Sequence, residues 1–432
     1  MTAIIRPITA LLMSAAIILA ANGLEGLLLP LRGAIEDFTS LEIGLLGASY
    51  FAGLTLGCLI VPHIIARVGH IRSFLLFAAL ATTSPLLEAM QPDPVLWWLF
   101  RCLTGICFAG IMNVVESWLT STATNANRGR LMSTYAVINF ASLIAGQQLI
   151  NLASPDDFRL FSIVAILCAL AAVPLSLTLS QSPPPPIRPR FRLGKMYKVS
   201  PAAVAGCLGA GLANGAFWSL GPVYARDSGL PPGLIAAFMS LAVLGGAFAQ
   251  WPVGRLSDSV DRRWVLMALC LGAALTGIAL FLAANSGTAI KLSLAALFGA
   301  FFLPVYWISS AHANDLADPG EAVSVSASLL LLFSTGAIFG PIFAALLKQE
   351  FGHGILFLYT AGIHMLVMLA ILYRTTQRGR APAEDRVSYE ELPVSSTPAV
   401  FELASASAQS GGEPGEAAGA AADADRGPRP KS

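Results

Sequence analysis

The stretch NGLEGLLLP at residues 22–30 returns as NGAFWSLGP at residues 214–222. The two copies share Asn-Gly-x4-Leu-x-Pro, lie 192 residues apart and sit inside long apolar segments. The same shift, applied without a gap, pairs Ile43 with Ile235, Gly53 with Gly245, Val61 with Val253 and Val68 with Val260. The sequence therefore predicts a chain built from two repeats, with the matched residues at equivalent places on equivalent helices.

The composition is typical of a membrane protein. Of the 432 residues, 55% are hydrophobic and 12% are charged, whereas soluble domains carry roughly 25% charged residues. This contrast argues against a water-soluble enzyme. The six cysteines all lie in apolar runs and form no Cys-x-x-Cys pair, so we expect small buried side chains and no disulfide or metal site.

The apolar segments are long enough to cross a bilayer, which requires about 20 mostly apolar residues per helix. Twelve stretches qualify: 8–31, 41–66, 72–91, 95–121, 130–153, 159–180, 201–225, 233–253, 263–284, 289–313, 322–347 and 354–374. The first stretch continues beyond the apolar region of a signal peptide, so we expect a retained helix.

A basic, proline-rich segment divides these spans six and six. Residues 181–200 contain four consecutive prolines and five Lys or Arg residues, which predicts an extended cytoplasmic linker. The predicted organisation is a six-helix bundle at 1–180, this linker at 181–200, a second bundle at 201–375 and a disordered cytoplasmic tail at 376–432, rich in Ala, Gly, Glu, Pro and Ser.

The distribution of Lys and Arg predicts the orientation. With the N-terminus inside, sixteen of these residues fall on the inner side. Six fall on the outer side or at outer helix ends: Arg32, Arg101, Arg159, Arg226, Lys291 and Lys348. Because Lys and Arg accumulate on the cytoplasmic side, we expect both termini there.

The loop after the eighth span reads GRLSDSVDRR at residues 254–263. It resembles the Gly-x-Leu-x-Asp-Arg-x-Gly-Arg-Arg loop of the major facilitator superfamily. The resemblance implies that the glycine lets two helices approach, and that the carboxylate and arginines latch the cytoplasmic side through charge-assisted bonds. The first-half copy at residues 62–72 keeps Arg67, Gly69 and Arg72 but has Ala66 in place of the aspartate.

Three further motifs extend the resemblance. They are ESWL at 116–119, RGR at 128–130 and FWSLGPVY at 217–224. Over residues 5–375 the chain is similar to a little-characterised group of bacterial facilitator permeases. This implies an all-α integral membrane protein with the major facilitator fold, twelve transmembrane helices in two six-helix pseudo-symmetric bundles, and a substrate site near the midplane between them. It does not supply the substrate.

Ionisable side chains inside the bilayer require an explanation, because each costs about 2.5–3.5 kcal/mol there. Glu25 is a candidate proton-coupling residue or a site for a cationic substrate; a structural hydrogen bond to a neighbouring helix, or snorkelling toward Arg32, is the alternative. Glu116 is expected to latch nearby arginines, with proton coupling as the alternative. Glu88 is expected to be an interfacial carboxylate in contact with water.

One cytoplasmic turn is basic and its counterpart in the second repeat is acidic. Arg128 and Arg130 stand in the first, whereas Asp315, Asp318 and Glu321 stand in the second. We expect salt bridges across the halves, or from Asp315 to two nearby arginines, with solvated interfacial charge as the alternative. The predicted gating residues are Arg67, Gly69, Arg72, Arg128, Arg130, Gly254, Asp258, Arg262, Arg263 and Asp315.

Uncharged polar and aromatic side chains within the spans are the candidates for substrate binding. They are Asn22, Asn139, Gln147, Gln148, Asn214, Trp218, Tyr224, Gln250, Tyr306 and Trp307. Helix packing explains any single one of them equally well.

The predicted function is secondary active transport of a small molecule across the inner membrane by alternating access, coupled to protons, with export slightly favoured over import. We expect a monomer in the lipid bilayer that needs no cofactor and binds no nucleic acid. No phosphate-binding Gly-rich loop is present in the sequence. The alternatives are a facilitator-fold sensor or scaffold without transport, and a membrane-embedded enzyme, which the scattered histidines disfavour.

Overall fold

The computed structural model describes residues 2–124, 127–178, 193–317, 322–352 and 354–375, and within these ranges it is helical and contains no strand. The helices are α1 (Thr2–Ile35), α2 (Ser40–Val68), α3 (His70–Met90), α4 (Pro94–Thr122), α5 (Arg128–Gln148), α6 (Phe158–Ser176), α7 (Leu193–Val199), α8 (Pro201–Asp227), α9 (Pro232–Ser259), α10 (Arg262–Leu282), α11 (Thr288–Phe302), α12 (Pro304–Asn314), α13 (Ala322–Phe351) and α14 (Ile355–Thr375).

Local sequence sets where the helices begin and end. Thr39 opens α2 with a capping box: its hydroxyl accepts from the Glu42 amide at 3.2 Å, and the Glu42 carboxylate accepts from the Thr39 amide at 2.7 Å. Asp93 caps α4 by accepting from the Leu96 amide at 2.9 Å. Gly69 separates α2 from α3 with a φ of 86°, a conformation that favours glycine.

Eleven segments of the described chain are long and apolar enough to cross a membrane. One of them combines α11 and α12, which are separated at Leu303 just before Pro304. The one remaining predicted span, 130–153, corresponds to α5. This helix has the same 21-residue length as α3 and α10 but is more polar. The short 3₁₀ turn Leu149–Leu152 continues α5.

The same glycine crossing recurs in both halves, between α2 and α4 and between α9 and α11. At each crossing two glycines face a backbone carbonyl of the partner helix: Gly53 faces Cys102, Gly105 faces Tyr50, Gly245 faces Ala296 and Gly299 faces Ala242. The α2 and α9 residues are 192 apart, and the α4 and α11 residues are 194 apart. The repeat seen in the sequence is therefore a repeat of helix contacts.

A second crossing is duplicated with the same offsets, between α1 and α5 and between α8 and α13. Its glycines also face carbonyls: Gly23 faces Leu143, Gly146 faces Ala20, Gly215 faces Ala337 and Gly340 faces Leu212. Small residues at such contacts let helix backbones approach closely in lipid. This contact places the polar helix α5 beside α1, as α13 lies beside α8.

The side on which α1 begins and α14 ends is called the terminal side. The two halves contact each other on the opposite side, which is called the distal side. Gly44 of α2 lies against Pro341 of α13, and Gly47 lies against Ser219 of α8. Arg226 donates to the carbonyl of Ala34 at 3.0 Å.

Side-chain hydrogen bonds add to this distal contact. Gln148 donates to the Ser240 hydroxyl at 2.8 Å, and that hydroxyl donates to the Gln147 side-chain oxygen at 2.8 Å. Ser240 lies on α9 and the two glutamines end α5, so the bonds join the two halves.

Part of the predicted linker is helical and not extended. Leu193–Val199 form α7, and Met196 is 2% exposed. Arg374 at the end of α14 donates to the Tyr197 hydroxyl at 3.2 Å. The rest of the linker, the predicted tail at 376–432, and Asp318 and Glu321 of the acidic turn lie outside the described residues.

Substituting Gly53 by alanine is expected to destabilise the first half. The added methyl group would overlap the Cys102 carbonyl of α4, and overpacking of this kind costs about 1–3 kcal/mol. Thermal unfolding in detergent, followed by size-exclusion chromatography, measures the change in Tm. Gly362→Ala is the matched control, because Gly362 is also helical but has nothing near its added methyl group; equal Tm values for the two variants would contradict the close crossing.

Candidate functional site

A cavity with an empty volume of about 1060 Å³ lies between the halves. Its walls come from α1, α2, α4 and α5 on one side and from α8, α9 and α13 on the other. The distal contacts at Gly47 and Ser219 form part of its lining. The cavity therefore ends where the halves close on each other.

The cavity is lined by equivalent residues of the two repeats. With the offsets fixed by the glycine crossings, the lining contains five pairs: Asn22 with Asn214, Gly26 with Trp218, Leu27 with Ser219, Gly47 with Met239 and Asn139 with Phe333. Equivalent positions lie at equivalent depths, so the cavity straddles the axis that relates the repeats.

Half of the predicted substrate-binding residues line this cavity. They are Asn22, Asn139, Gln147, Asn214 and Trp218. The side chain of Gln148 points into the distal contact and bonds Ser240 at 2.8 Å.

The remaining candidates lie outside this lining. Tyr224 is 1% exposed and donates to the carbonyl of Leu280 at 2.7 Å. Gln250 is 4% exposed on α9. Tyr306 and Trp307 pack on each other with ring centroids 4.7 Å apart.

An ion pair stands at the cavity wall in the first half. Glu25 of α1 is 2% exposed, and its carboxylate lies 3.2 Å from the guanidinium of Arg101 on α4. That guanidinium lies 4.3 Å from the ring centroid of Tyr50, whose hydroxyl donates to Asn22 at 3.1 Å. The arrangement links a buried acid to three cavity-lining side chains, Arg101, Tyr50 and Asn22.

Arg101, assigned from the sequence to the outer face or an outer helix end, is buried. Arg101 is 7% exposed and lies a full two turns inside α4, so it is buried where the sequence pattern predicted an outer helix end. Lys291 is likewise buried, 4% exposed, and donates to the carbonyl of Ser228. The signal available in the sequence was the position of Arg101 seven residues beyond Pro94.

Glu88 also differs from its prediction as a water-exposed interfacial acid. It is 0% exposed, and neither carboxyl oxygen has a hydrogen-bond partner in the described part of the chain. Glu25, in contrast, has the neighbouring-helix partner that the structural alternative required, whereas Arg32 pairs with Glu36.

Glu116 is buried near the terminal end of α4. It is 0% exposed and accepts from the Tyr135 hydroxyl of α5 at 3.2 Å. At the next residue of α4, the Ser117 hydroxyl lies 3.0 Å from His70 of α3. These bonds join α3, α4 and α5 on the terminal side.

The second-half gating loop forms an ion-pair chain within its own bundle. Arg262 lies 2.9 Å from Asp315 and 3.4 Å from Asp258. Arg263 lies 2.8 Å from Asp261, which caps α10. Burial raises the pKa of Asp261, but the hydrogen bonds from Arg263 outweigh it and hold that pKa below its usual value.

The first-half gating candidates lie at the terminal ends of their helices. The residues Arg67, Arg72 and Arg130 are exposed. Gly69 forms the turn between α2 and α3, and Gly254 is buried in α9. The side chain of Arg128 lies outside what the structure describes.

Comparison with known proteins identifies the family. The chain is 29% identical over 369 residues to the uncharacterized MFS-type transporter YcaD of Escherichia fergusonii, covering 85% of this chain and 95% of that protein. It is 28% identical over 374 residues to the protein of that name from Salmonella newport, covering 86% and 97%.

Two solved structures have a similar fold. The nucleoside transporter NupG has a TM-score of 0.69 at 13% identity and covers 86% of this chain and 99% of its own. A bacterial homolog of the human lysosomal transporter Spinster, inward-facing and occupied, has a TM-score of 0.71 at 14% identity and covers 88% and 97%.

The predicted fold class and family are confirmed. The profile of the Major Facilitator Superfamily matches residues 11–334, and both relatives belong to a group that is not functionally characterised. The chain, with its apolar helices and central cavity, belongs to the Major Facilitator Superfamily and is a multi-pass membrane transporter of a poorly characterised group.

Proposed function

We propose that this protein is a monomeric, proton-coupled secondary transporter that moves a small molecule across a bacterial inner membrane by alternating access. The observation that carries the proposal is the cavity on the axis between the repeats, lined by pairs of equivalent residues. A site on that axis can be exposed to either side by rocking one half against the other, without being rebuilt.

The terminal side is assigned to the cytoplasm. The order of the predicted spans places sixteen Lys and Arg residues on that side of the membrane and six on the other. This excess favours a cytoplasmic location. Both termini are then cytoplasmic.

The described conformation is assigned as inward-facing. The contacts between the halves at Gly44, Gly47 and Ser240 all lie on the distal side, which is then the outer side. In the outward-facing state these contacts separate, and the terminal ends of α4, α5 and α12 approach each other. The gating candidates Arg130 and Asp315 stand at those ends with opposite charge.

The cavity lining favours a substrate with an apolar or aromatic body and several hydrogen-bonding groups. Trp218, Phe51 and Phe333 supply aromatic surface. Amide side chains on α1, α5 and α8 supply donors and acceptors that can orient the ligand. Arg101 supplies a positive charge whose availability depends on Glu25.

This dependence provides the proton coupling. In the described state the Glu25 carboxylate neutralises the Arg101 guanidinium. When Glu25 takes up a proton the ion pair is lost, and a buried guanidinium without its partner is strongly destabilised until it finds another acceptor. A substrate group that accepts hydrogen bonds provides one, so proton binding and substrate binding influence each other.

Identifying the substrate is the first experiment. Accumulation of metabolites and drugs is compared between a strain lacking the gene and one carrying it on a plasmid. A compound whose level changes in opposite senses when the gene is removed and restored is a substrate. The sign of the change distinguishes import from export.

Glu25→Gln is expected to abolish proton coupling, because the amide cannot take up or release the proton. In proteoliposomes, addition of that substrate should change the internal pH with the wild-type protein and not with the variant. Glu36→Gln, at the exposed distal end of α1, is the control and should behave as wild type. A substrate-driven pH change of wild-type size in Glu25→Gln would exclude this role.

Linking the distal ends of the halves is expected to arrest transport. Cysteines placed at Gln148 and Ser240, whose side chains bond at 2.8 Å, should react with a short bis-maleimide in a background without the native cysteines. Transport should stop on linking, while each single-cysteine protein stays active after the same treatment. Full activity of the linked protein would contradict alternating access at this contact.

The sensor or scaffold alternative assigns the work to residues 381–432. If the protein is a transporter, deleting this segment should leave the accumulation of the identified substrate within about twofold of wild type, because the cavity and both bundles are retained. Membrane content, measured by immunoblotting, serves as the control for expression. Complete loss of transport at equal membrane content would favour the alternative.

A further inference from the structure

The carboxyl group of Glu88 is buried and has no hydrogen-bond partner among the described residues. It lies in the last turn of α3, its residue is 0% exposed, and both oxygens lack a hydrogen-bond partner in the described ranges. An ionised carboxyl in such a place costs several kcal/mol unless another charge balances it.

The ion pair of the cavity wall lies on the helices beside Glu88. Trp97 of α4 donates to the backbone carbonyl of Glu88 at 3.1 Å, and Arg101, one turn further along α4, pairs with Glu25 of α1. One oxygen of Glu25 also has no hydrogen-bond partner in the described part of the protein. The three side chains form a buried cluster with two carboxyls and one guanidinium.

In the described chain, the other helices packed around the cluster place no second positively charged side chain at this depth. From α6, which packs on α3, the thiol of Cys168 is buried nearby, and the pair Asp157–Arg159 lies at the exposed distal end. From α2, Tyr50 faces Arg101, and Glu42 is held in the capping box of Thr39.

Charge balance decides how many protons this cluster holds. Two ionised carboxyls and one guanidinium leave a net negative charge in the membrane interior. One bound proton makes the cluster neutral, and burial favours the neutral state strongly. Because Glu25 lies 3.2 Å from Arg101 and the Glu88 carboxyl has no hydrogen-bond partner in the described chain, the proton is placed on Glu88 in this conformation.

We propose that Glu88 is a second proton-carrying carboxyl of the transport site, which shares one proton and the guanidinium of Arg101 with Glu25. The inference rests on the proposed proton-coupled function and extends it. When the proton moves from Glu88 to Glu25, Arg101 exchanges one carboxylate partner for the other. The total charge is unchanged, and the Glu88 carboxylate holds the guanidinium until an acceptor group of the substrate replaces it.

The distal side of the cluster is closed by aromatic rings. Trp97 is 0% exposed and donates to the backbone carbonyls of Glu88 and Gln91, at 3.1 and 2.9 Å. Phe38 and Phe161 pack on its indole, with centroids at 5.2 and 6.1 Å. Arg101 lines the cavity, so the proton of the cluster exchanges with water through the cavity and not through the distal surface.

Infrared difference spectroscopy of the full-length protein in lipid vesicles tests the proposal without a substrate. The carbonyl stretch of protonated carboxyls is recorded between acidic and alkaline buffer for each variant. Glu88→Gln should lose one such band relative to wild type. Glu25→Gln should also lose it, because Glu88 then ionises to pair with Arg101. Arg101→Gln should gain a second band.

The behaviour of Glu25→Gln separates a shared proton from a merely structural one. An acid that is simply buried would keep its band when Glu25 is replaced. Retention of the band in Glu25→Gln, or its retention in Glu88→Gln, would overturn the proposal. If Glu88→Gln does not fold, Glu25→Gln still decides. Glu36→Gln is the control, and any band from Glu116 is common to all variants and cancels.

The two proposals can fail separately. If both Glu25→Gln and Glu88→Gln lose the band while Glu25→Gln keeps the substrate-driven pH change, the shared proton stands and the proton-coupling role of Glu25 is rejected. If Glu25→Gln abolishes the substrate-driven pH change but keeps the carboxyl band, the coupling role of Glu25 stands and the role of Glu88 is rejected.

Discussion

Helices in a bilayer gain little by packing apolar side chains on each other, because the lipid around them is equally apolar. Close backbone contact is what holds this bundle together. Gly53 and Gly105 bring α2 against α4, and Gly23 and Gly146 bring α1 against α5. The second half repeats both crossings at matching positions. The cavity, the ion pair and the distal contact all depend on where these crossings place the helices.

The two halves have the same scaffold but different contents. The offsets of the crossings align Glu25 with Phe217 and Arg101 with Ala295. Phe217 packs among Phe298 and Phe302, at centroid distances of 5.6 and 5.2 Å, where the first half has its ion pair. Titratable side chains at the cavity wall are thus concentrated in the first half, and the equivalent place in the second half is a buried aromatic cluster.

The contact between the halves is made by small residues, which allows it to open. Gly44 and Gly47 of α2 lie against Pro341 of α13 and Ser219 of α8 with little side chain between them. Such a surface separates without leaving large apolar groups exposed. The hydrogen bonds of Ser240 with the two glutamines of α5 can be replaced by water when the contact opens. A contact of this kind stabilises one conformation of the two halves and still allows them to separate.

The sequence by itself determined the membrane location, the duplication and the family, because these follow from apolar length, from spacing and from a charged loop with a characteristic pattern. It also identified Glu25 as the isolated acid of the first helix. It placed Arg101 and Glu88 at the surface, and the tertiary structure buried both. The physical reason is that periodicity gives a depth along one helix, whereas a partner depends on how helices cross. Only the packing of the bundle brings α1 and α4 close enough for the Arg101 guanidinium to meet the Glu25 carboxylate.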